Sequence, residues 1–243
     1  MSSSPLSSLP PDQLSTLLKA AEREWEKRAS RNRLKDYRPY IKQREFHAAG
    51  KQHDERLFMA GNQLGKTIAG GFEWAIHLTG RYPDWWDGRA FDSPVKFWAA
   101  GVTGESTRDN PQRILIGPPQ QEEMWGTGSI PFECIKETTP ARGVPNSLDS
   151  CIVRWGGGGD VQAQESILSF KSYEKGREKW QGETLDGVWD DEEPPLDIYS
   201  EGKTRVQARN GILIVTFTPL LGMSDVVNLF LTDADIQKLL APA

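Results

Sequence analysis

The chain has 243 residues, of which 37% are hydrophobic and 26% charged, with a net charge of −5. That length holds one large α/β domain or two small ones, and no apolar run reaches the length of a membrane span. The acidic balance argues against a wholly basic nucleic-acid coat, although a local basic face needs only a few lysines or arginines.

The N-terminus is Ser- and Pro-rich and lacks the charged-then-apolar layout of a secretory signal. Pro10, Pro11 and Asp12 then open a helix. Leu14, Leu17, Leu18, Ala21 and Trp25 recur at three and four residues and make one apolar stripe, with charge around the rest down to about Lys35. The helix is expected to pack across the following domain or against a neighbour. Cys134 and Cys151 read as unpaired thiols, and His47, His53 and His77 have no metal-binding spacing to a cysteine or carboxylate.

Residues 37–47 combine Tyr37, Pro39, Tyr40 and Gln43. A glutamine can offer a donor and an acceptor to the N6 and N7 edge of adenine, and a tyrosine or proline face can stack on the ring. The bland alternative is a solvated Gln43 at a helix start. Residues 57–67 follow, an apolar run that breaks into Gly61, Asn62, Gln63 and Leu64 and ends on Gly65, Lys66 and Thr67 ahead of a helix. That is the layout of a P-loop, in which turn N–H groups and the helix N-terminus hold phosphate oxygens. Lys66 is placed to reach the β- and γ-phosphates of ATP, and the Thr67 hydroxyl to ligate Mg²⁺. Ala60 stands where the usual pattern has glycine, so Gly61 is expected to supply the turn.

A buried helix is expected over 68–78, ending near Gly80, with glycines that allow close packing on a sheet. Residues 81–93 read as a loop, 95–100 as a strand and 103–116 as a helix stopped by Gly117, Pro118 and Pro119. The glycines at 156–159 read as a hairpin tip between strands at 151–155 and 166–173. No lysine and helix follow them, which argues against a second phosphate loop.

The second chemical segment runs over 184–195, where apolar residues lead into Asp190, Asp191, Glu192 and Glu193 before Pro194 and Pro195. An α/β sheet places its ligands at such strand ends. A P-loop NTPase needs one carboxylate there for Mg²⁺ and often a second to orient water. Asp191 and Glu192 fit those jobs in order. A register one residue earlier, using Asp190, stays open, as does a plain solvated acidic turn. A helix over 197–209 carries Lys203, Arg205 and Arg209, and 212–219 is a strongly apolar strand. Thr216 and Thr218 share one of its faces, either to sense the γ-phosphate or from β-propensity alone. A final helix is expected over 224–240.

Taken together, the segments 39–44, 61–67, 188–194 and 216–219 resemble the N-terminal ATPase part of the large terminase subunit of tailed bacteriophages, over most of 37–232. The resemblance implies an α/β P-loop NTPase of the additional-strand, catalytic-Glu (ASCE, RecA-like) type, with a mainly parallel central sheet flanked by helices. It implies Mg²⁺-dependent ATP hydrolysis that drives double-stranded DNA into a procapsid, with subunits in a homo-oligomeric ring on the portal protein and a small terminase subunit as partner. The implied setting is the host cytoplasm, with no membrane. On it Gln43 resembles the adenine-sensing glutamine and Gly61, Asn62, Gln63, Leu64, Gly65, Lys66 and Thr67 the ATP loop. Asp191 resembles the metal-associated acid, Glu192 the catalytic base, and Thr216 and Thr218 the coupling motif. The implied division is 1–36 as a helical segment, 37–222 as the ATPase domain and 223–243 as a helical tail or the start of a linker.

Two departures matter. Some terminases carry an arginine where this chain has Asn62, so a charge-stabilising arginine is expected from elsewhere, with Arg177, Arg205 and Arg209 as candidates, and from a neighbouring subunit if activity rises with protein concentration. No acidic cluster for a nuclease follows Pro219, so DNA cutting is not expected of this chain. The rival readings are a helicase-like DNA-remodelling ATPase and a weakly active nucleotide-binding module that docks on portal or small terminase.

Overall fold

The computed structural model describes residues 10–29, 31–156, 164–219 and 224–231. Its apolar runs become strands: β1 (Glu55–Met59), β2 (Lys96–Gly101), β3 (Ile135–Pro140), β4 (Leu148–Trp155), β5 (Gln164–Ser172), β6 (Gly187–Asp191) and β7 (Ile212–Phe217). They form one sheet in the order β1-β7-β6-β2-β5-β4-β3. The pairs from β1 through β5 in that order are parallel, and β4 and β3 extend the sheet antiparallel. β7 thus lies between the strand that leads into the lysine loop and the strand that ends in acids. Every residue of β6 and β7 is buried, as expected of parallel strands covered on both faces.

The helices are α1 (Pro11–Ala29), α2 (Arg33–Asp36), α3 (Ile41–Ala49), α4 (Lys66–Thr79), α5 (Gly104–Thr107), α6 (Arg113–Leu115), α7 (Leu196–Gln207) and α8 (Asp225–Phe230). Alternation along β6 sends Trp189 into the core under α4, with Trp74, Phe97 and Ile214, and Val188 into the core under α7, with Trp98, Tyr199 and Val215. Gly70 is what lets α4 sit this close: a Cβ there would stand 2.6 Å from the Trp189 ring. Both cysteines are free and buried, and burial pushes Cys134 up to about 11 and Cys151 up to about 12.

Four expectations are corrected or refined. The N-terminal helix does not run on to Lys35: Asn32 caps a separate α2, whose Leu34 is buried in the α4 core. Among the described residues the apolar stripe of α1 is left largely uncovered, with Leu17, Leu18 and Trp25 each at least half exposed. The helix expected over 103–116 is broken by a π-turn at Arg108–Gln112 around Pro111, which lacks the N–H an α-helix needs. β3 has no apolar alternation to announce it, because its polar run 136–139 lies on an edge strand with little burial. The glycines at 157–159, and the expected helix beyond Leu231, lie outside the described residues.

Candidate functional site

β1 delivers the chain to the phosphate loop, and the turn is made by left-handed backbone at Gln63 (φ 60°) and Gly65 (φ 74°), not by Gly61 as expected. Gly65 has a second reason to be glycine: a Cβ would lie 2.8 Å from Gln43 Nε2. Lys66 opens α4, is almost fully buried and donates from Nζ to the Gly61 carbonyl at 2.8 Å. Its ammonium therefore lies across the loop, where the N–H groups of the turn and the α4 N-terminus also concentrate positive potential.

The acidic strand end meets this loop. Asp191, the last residue of β6, accepts on Oδ1 from Thr67 Oγ1 at 2.9 Å and from Thr216 Oγ1 at 2.8 Å. Thr216 in turn accepts from the Trp189 indole N–H at 2.8 Å, so its own hydrogen is committed to Asp191. Burial pushes the Asp191 carboxyl up to about 7, against the pull of both hydroxyls and Lys66. Glu192 follows with its backbone in the left-handed region (φ 77°). Its carboxylate is half-buried with no hydrogen-bond partner among the described residues, and burial raises its pKa while Lys66 draws it down. A raised carboxylate pKa makes a stronger base toward water.

The alternation of β6 sends Asp190 and Asp191 to opposite faces of the sheet. Asp190 points to the α7 side, fully buried, and neither carboxylate oxygen has a hydrogen-bond partner among the described residues. Burial holds its carboxyl well above the usual range. It faces away from Thr67, so Asp191 alone of the two meets the loop.

Thr216 and Thr218 touch the site from two sides, Thr216 through Asp191 and Thr218 through Asn62 Oδ1 at 2.9 Å. Beside the loop lies a cleft of about 880 Å³ whose lining includes Tyr37, Tyr40, Gln43, Met59, Leu64 and Phe72. Gln43 is buried against this cleft with its amide already engaged: Oε1 accepts from Tyr40 N at 3.2 Å and Nε2 donates to Gly65 O at 2.9 Å. The Tyr40 hydroxyl donates to Leu64 O. As it stands, Gln43 ties the aromatic segment to the phosphate loop.

Each of the three candidate arginines pairs with an acid outside residues 61–67. Arg209 pairs with Asp186 and Arg205 with Glu201, and the Arg205 carbonyl accepts from Leu185 N. Both therefore sit at the start of β6, roughly 16 Å from its acidic end at about 3.3 Å per residue. Arg177 also pairs with Glu201 but is 58% exposed, which leaves it the most available of the three to a neighbouring subunit. Sequence reading missed Tyr173 and Trp189, which hold the acids, and a buried cluster of His47, Arg56, Glu73 and His77 behind the loop helix. Glu73 was the available signal, a carboxylate in the middle of an otherwise apolar helix.

The residues at hand fit Mg²⁺. Among the described residues no group of three or more His, Cys, Asp or Glu could hold a metal unaided. Thr67 Oγ1 and Asp191 Oδ1 are two hard oxygens 2.9 Å apart. Neighbouring ligands of an octahedral Mg²⁺ at 2.0–2.1 Å stand about 3 Å apart, and the ion usually completes its shell with water and substrate phosphates.

A parallel sheet with one strand inserted between loop strand and acid strand, and a Lys–Thr loop against an Asp–Glu strand end, defines a P-loop nucleoside-triphosphatase fold of the additional-strand class. Residues 57–241 match the family described as "Terminase large subunit, T4likevirus-type, N-terminal", and the chain belongs to that family. It is 46% identical over 210 residues to the large terminase subunit of Salmonella phage P22, and 26% identical over 213 residues to that of Enterobacteria phage LP7. Each alignment covers 82% of this chain but only 42% and 43% of those relatives, so the chain spans less than half their length. The fold is similar to that of the large terminase ATPase domain of Thermus phage P74-26, with a TM-score of 0.54 at 18% identity over 79% of this chain and 69% of that one.

Proposed function

We propose that this chain hydrolyses ATP with Mg²⁺ and that, in the assembled terminase, the cycle drives double-stranded viral DNA into a procapsid. The observation that carries the reading is the contact between Thr67 and Asp191, with Lys66 next to Thr67 in the loop and Glu192 next to Asp191 at the strand end. In this reading Gly61 to Lys66 hold the phosphates, and Lys66 leaves the Gly61 carbonyl for the β- and γ-oxygens. Thr67 and Asp191 hold Mg²⁺, which offsets charge on those oxygens. Glu192 accepts a proton from the attacking water as its oxygen bonds to the γ-phosphorus, and the bond to the ADP oxygen breaks. The adenine lies in the cleft beside Tyr37 and Tyr40, and Gln43 reads it only if it gives up Tyr40 N or Gly65 O.

The charge-stabilising arginine comes from a neighbouring subunit in a ring on the portal, with Arg177 the best exposed candidate. The small terminase subunit is the other proposed partner, and the host cytoplasm the proposed setting. The test is phosphate release from Mg²⁺-ATP by the wild type and by Lys66→Ala. The variant is expected to lose at least about 100-fold in turnover, comparable to removing one preorganised donor from a developing oxyanion. Equal turnover in the two proteins would exclude the loop as the site of hydrolysis.

A further inference from the structure

Glu192 has an unusual backbone for the work assigned to it. It is one of four non-glycine residues with positive φ among those described, in a region where an L side chain crowds the following carbonyl. Such strain persists only where the surroundings over-determine it. Two bonds do so here. Glu192 N donates to Thr216 O at 2.9 Å, and Glu192 O accepts from the Tyr173 hydroxyl at 2.8 Å. The same hydroxyl lies 3.3 Å from the Asp191 carbonyl, so one phenol grips both carbonyls of the acidic turn.

Tyr173 belongs to neither neighbouring strand of β6's tip. It starts the 3-10 turn Tyr173–Lys175 at the end of β5, and β2 lies between β5 and β6. The side chain spans the end of β2 to reach Glu192. It is nearly fully buried and packs against Trp180 at a ring separation of 6.0 Å. The turn that carries it is itself fastened to the end of β2: Glu174 N donates to Val102 O at 3.1 Å, and Glu174 Oε1 accepts from Gly104 N at 2.7 Å.

We propose that Tyr173 is a positioning residue for the catalytic carboxylate: its hydroxyl pins the left-handed turn at Glu192 so that the side chain stays directed to the Lys66–Thr67 side. The proposal rests on Glu192 acting as the base. Without the hydroxyl the turn keeps one of its two restraints and relaxes toward negative φ, which swings the carboxylate off the water. Phosphate contacts through residues 61–67 do not involve Tyr173, so substrate affinity is left alone.

The test is Tyr173→Phe, which keeps the ring in its pocket and deletes only the hydroxyl, measured in the wild-type chain and on a Glu192→Gln background with radiolabelled ATP. Single Tyr173→Phe is expected to lower kcat by about 10- to 100-fold, the scale of a small misplacement of a reacting group. KM for ATP should stay at its wild-type value, and the melting temperature should fall by no more than a few degrees, the cost of a deleted buried hydroxyl. On the Glu192→Gln background the same substitution should change nothing further, because there is no base left to misplace. A wild-type kcat in the single variant, an equal loss in both backgrounds, or a loss confined to KM or thermal stability would each overturn the positioning role. Full turnover in Glu192→Gln alone would instead remove the base assignment and leave the phosphate loop standing.

Discussion

Glu192→Gln is expected to lower kcat for ATP by about 10²- to 10⁴-fold, the usual contribution of a positioned base, while nucleotide affinity stays within the wild-type range. The amide keeps the length and shape of the side chain and the backbone bonds to Thr216 and Tyr173. What it loses is the ability to take a proton. The carboxylate is suited to that task because burial raises its pKa, and no protein donor among the described residues occupies it. Single-turnover phosphate release with bound ATP in excess of its dissociation constant separates the chemical step from binding. A drop in affinity with kcat unchanged would move Glu192 from base to binding group.

The second large effect lies behind the loop. Arg56 on β1 donates to Glu73 Oε2 at 3.2 Å and to the Phe46 carbonyl at 2.9 Å, and His47 Nδ1 meets Glu73 Oε2 at 2.7 Å. With Nδ1–H donating, His47 Nε2 accepts from the Tyr37 hydroxyl at 3.1 Å, and Tyr37 stacks on Phe72 of α4 with ring centroids 3.9 Å apart. The cluster therefore binds α3, β1, α4 and one wall of the cleft to each other. Burial alone would raise Glu73, but the Arg56 charge, the hydrogen bond from His47 and the His77 ring 3.7 Å away hold it well below the usual carboxylate range. Glu73→Gln keeps the volume and leaves the Arg56 guanidinium buried with no anion, which costs about 3–5 kcal/mol. In a chain of this size that is a fall in Tm of roughly 6–20 °C.

The pH dependence has a definite sign. A carboxylate depressed in the folded state adds stability above its unfolded pKa of about 4.3, and that stability is lost as pH falls through the lower folded value. Wild-type Tm should start to fall below about pH 4, and the gap to Glu73→Gln should narrow progressively as pH drops toward the depressed folded value. A gap of the same size at pH 3 and pH 7 would show that Glu73 contributes shape and not charge.

What the sequence could show divides along local and non-local lines. The strand, turn and helix around 61–67 were legible because a P-loop pattern is contiguous, with a lysine next to a threonine within one turn. Asp191 and Glu192 were legible as a pair, but the choice between Asp190 and Asp191 depended on which face of β6 meets Thr67, a property of the sheet. Tyr173 carried no signal, because its partner lies two strands away and 19 residues on. Gln43 reads from the sequence as an adenine-sensing group, whereas its bonds are to Tyr40 N and Gly65 O, which only the packing of α3 on the loop could reveal. The apolar stripe on α1 was read correctly as a stripe, but periodicity states that a face is apolar and not what covers it.

The most direct test of the convergence of loop and acids is a crystal of this chain with Mn²⁺ and a non-hydrolysable ATP analogue. The expected result is an anomalous peak at coordination distance from Thr67 Oγ1, with the Asp191 carboxylate bound to it directly or through one water and Lys66 Nζ on the β- and γ-phosphates. A metal and triphosphate seated away from residues 61–67, or an Asp191 turned from the peak, would contradict the account.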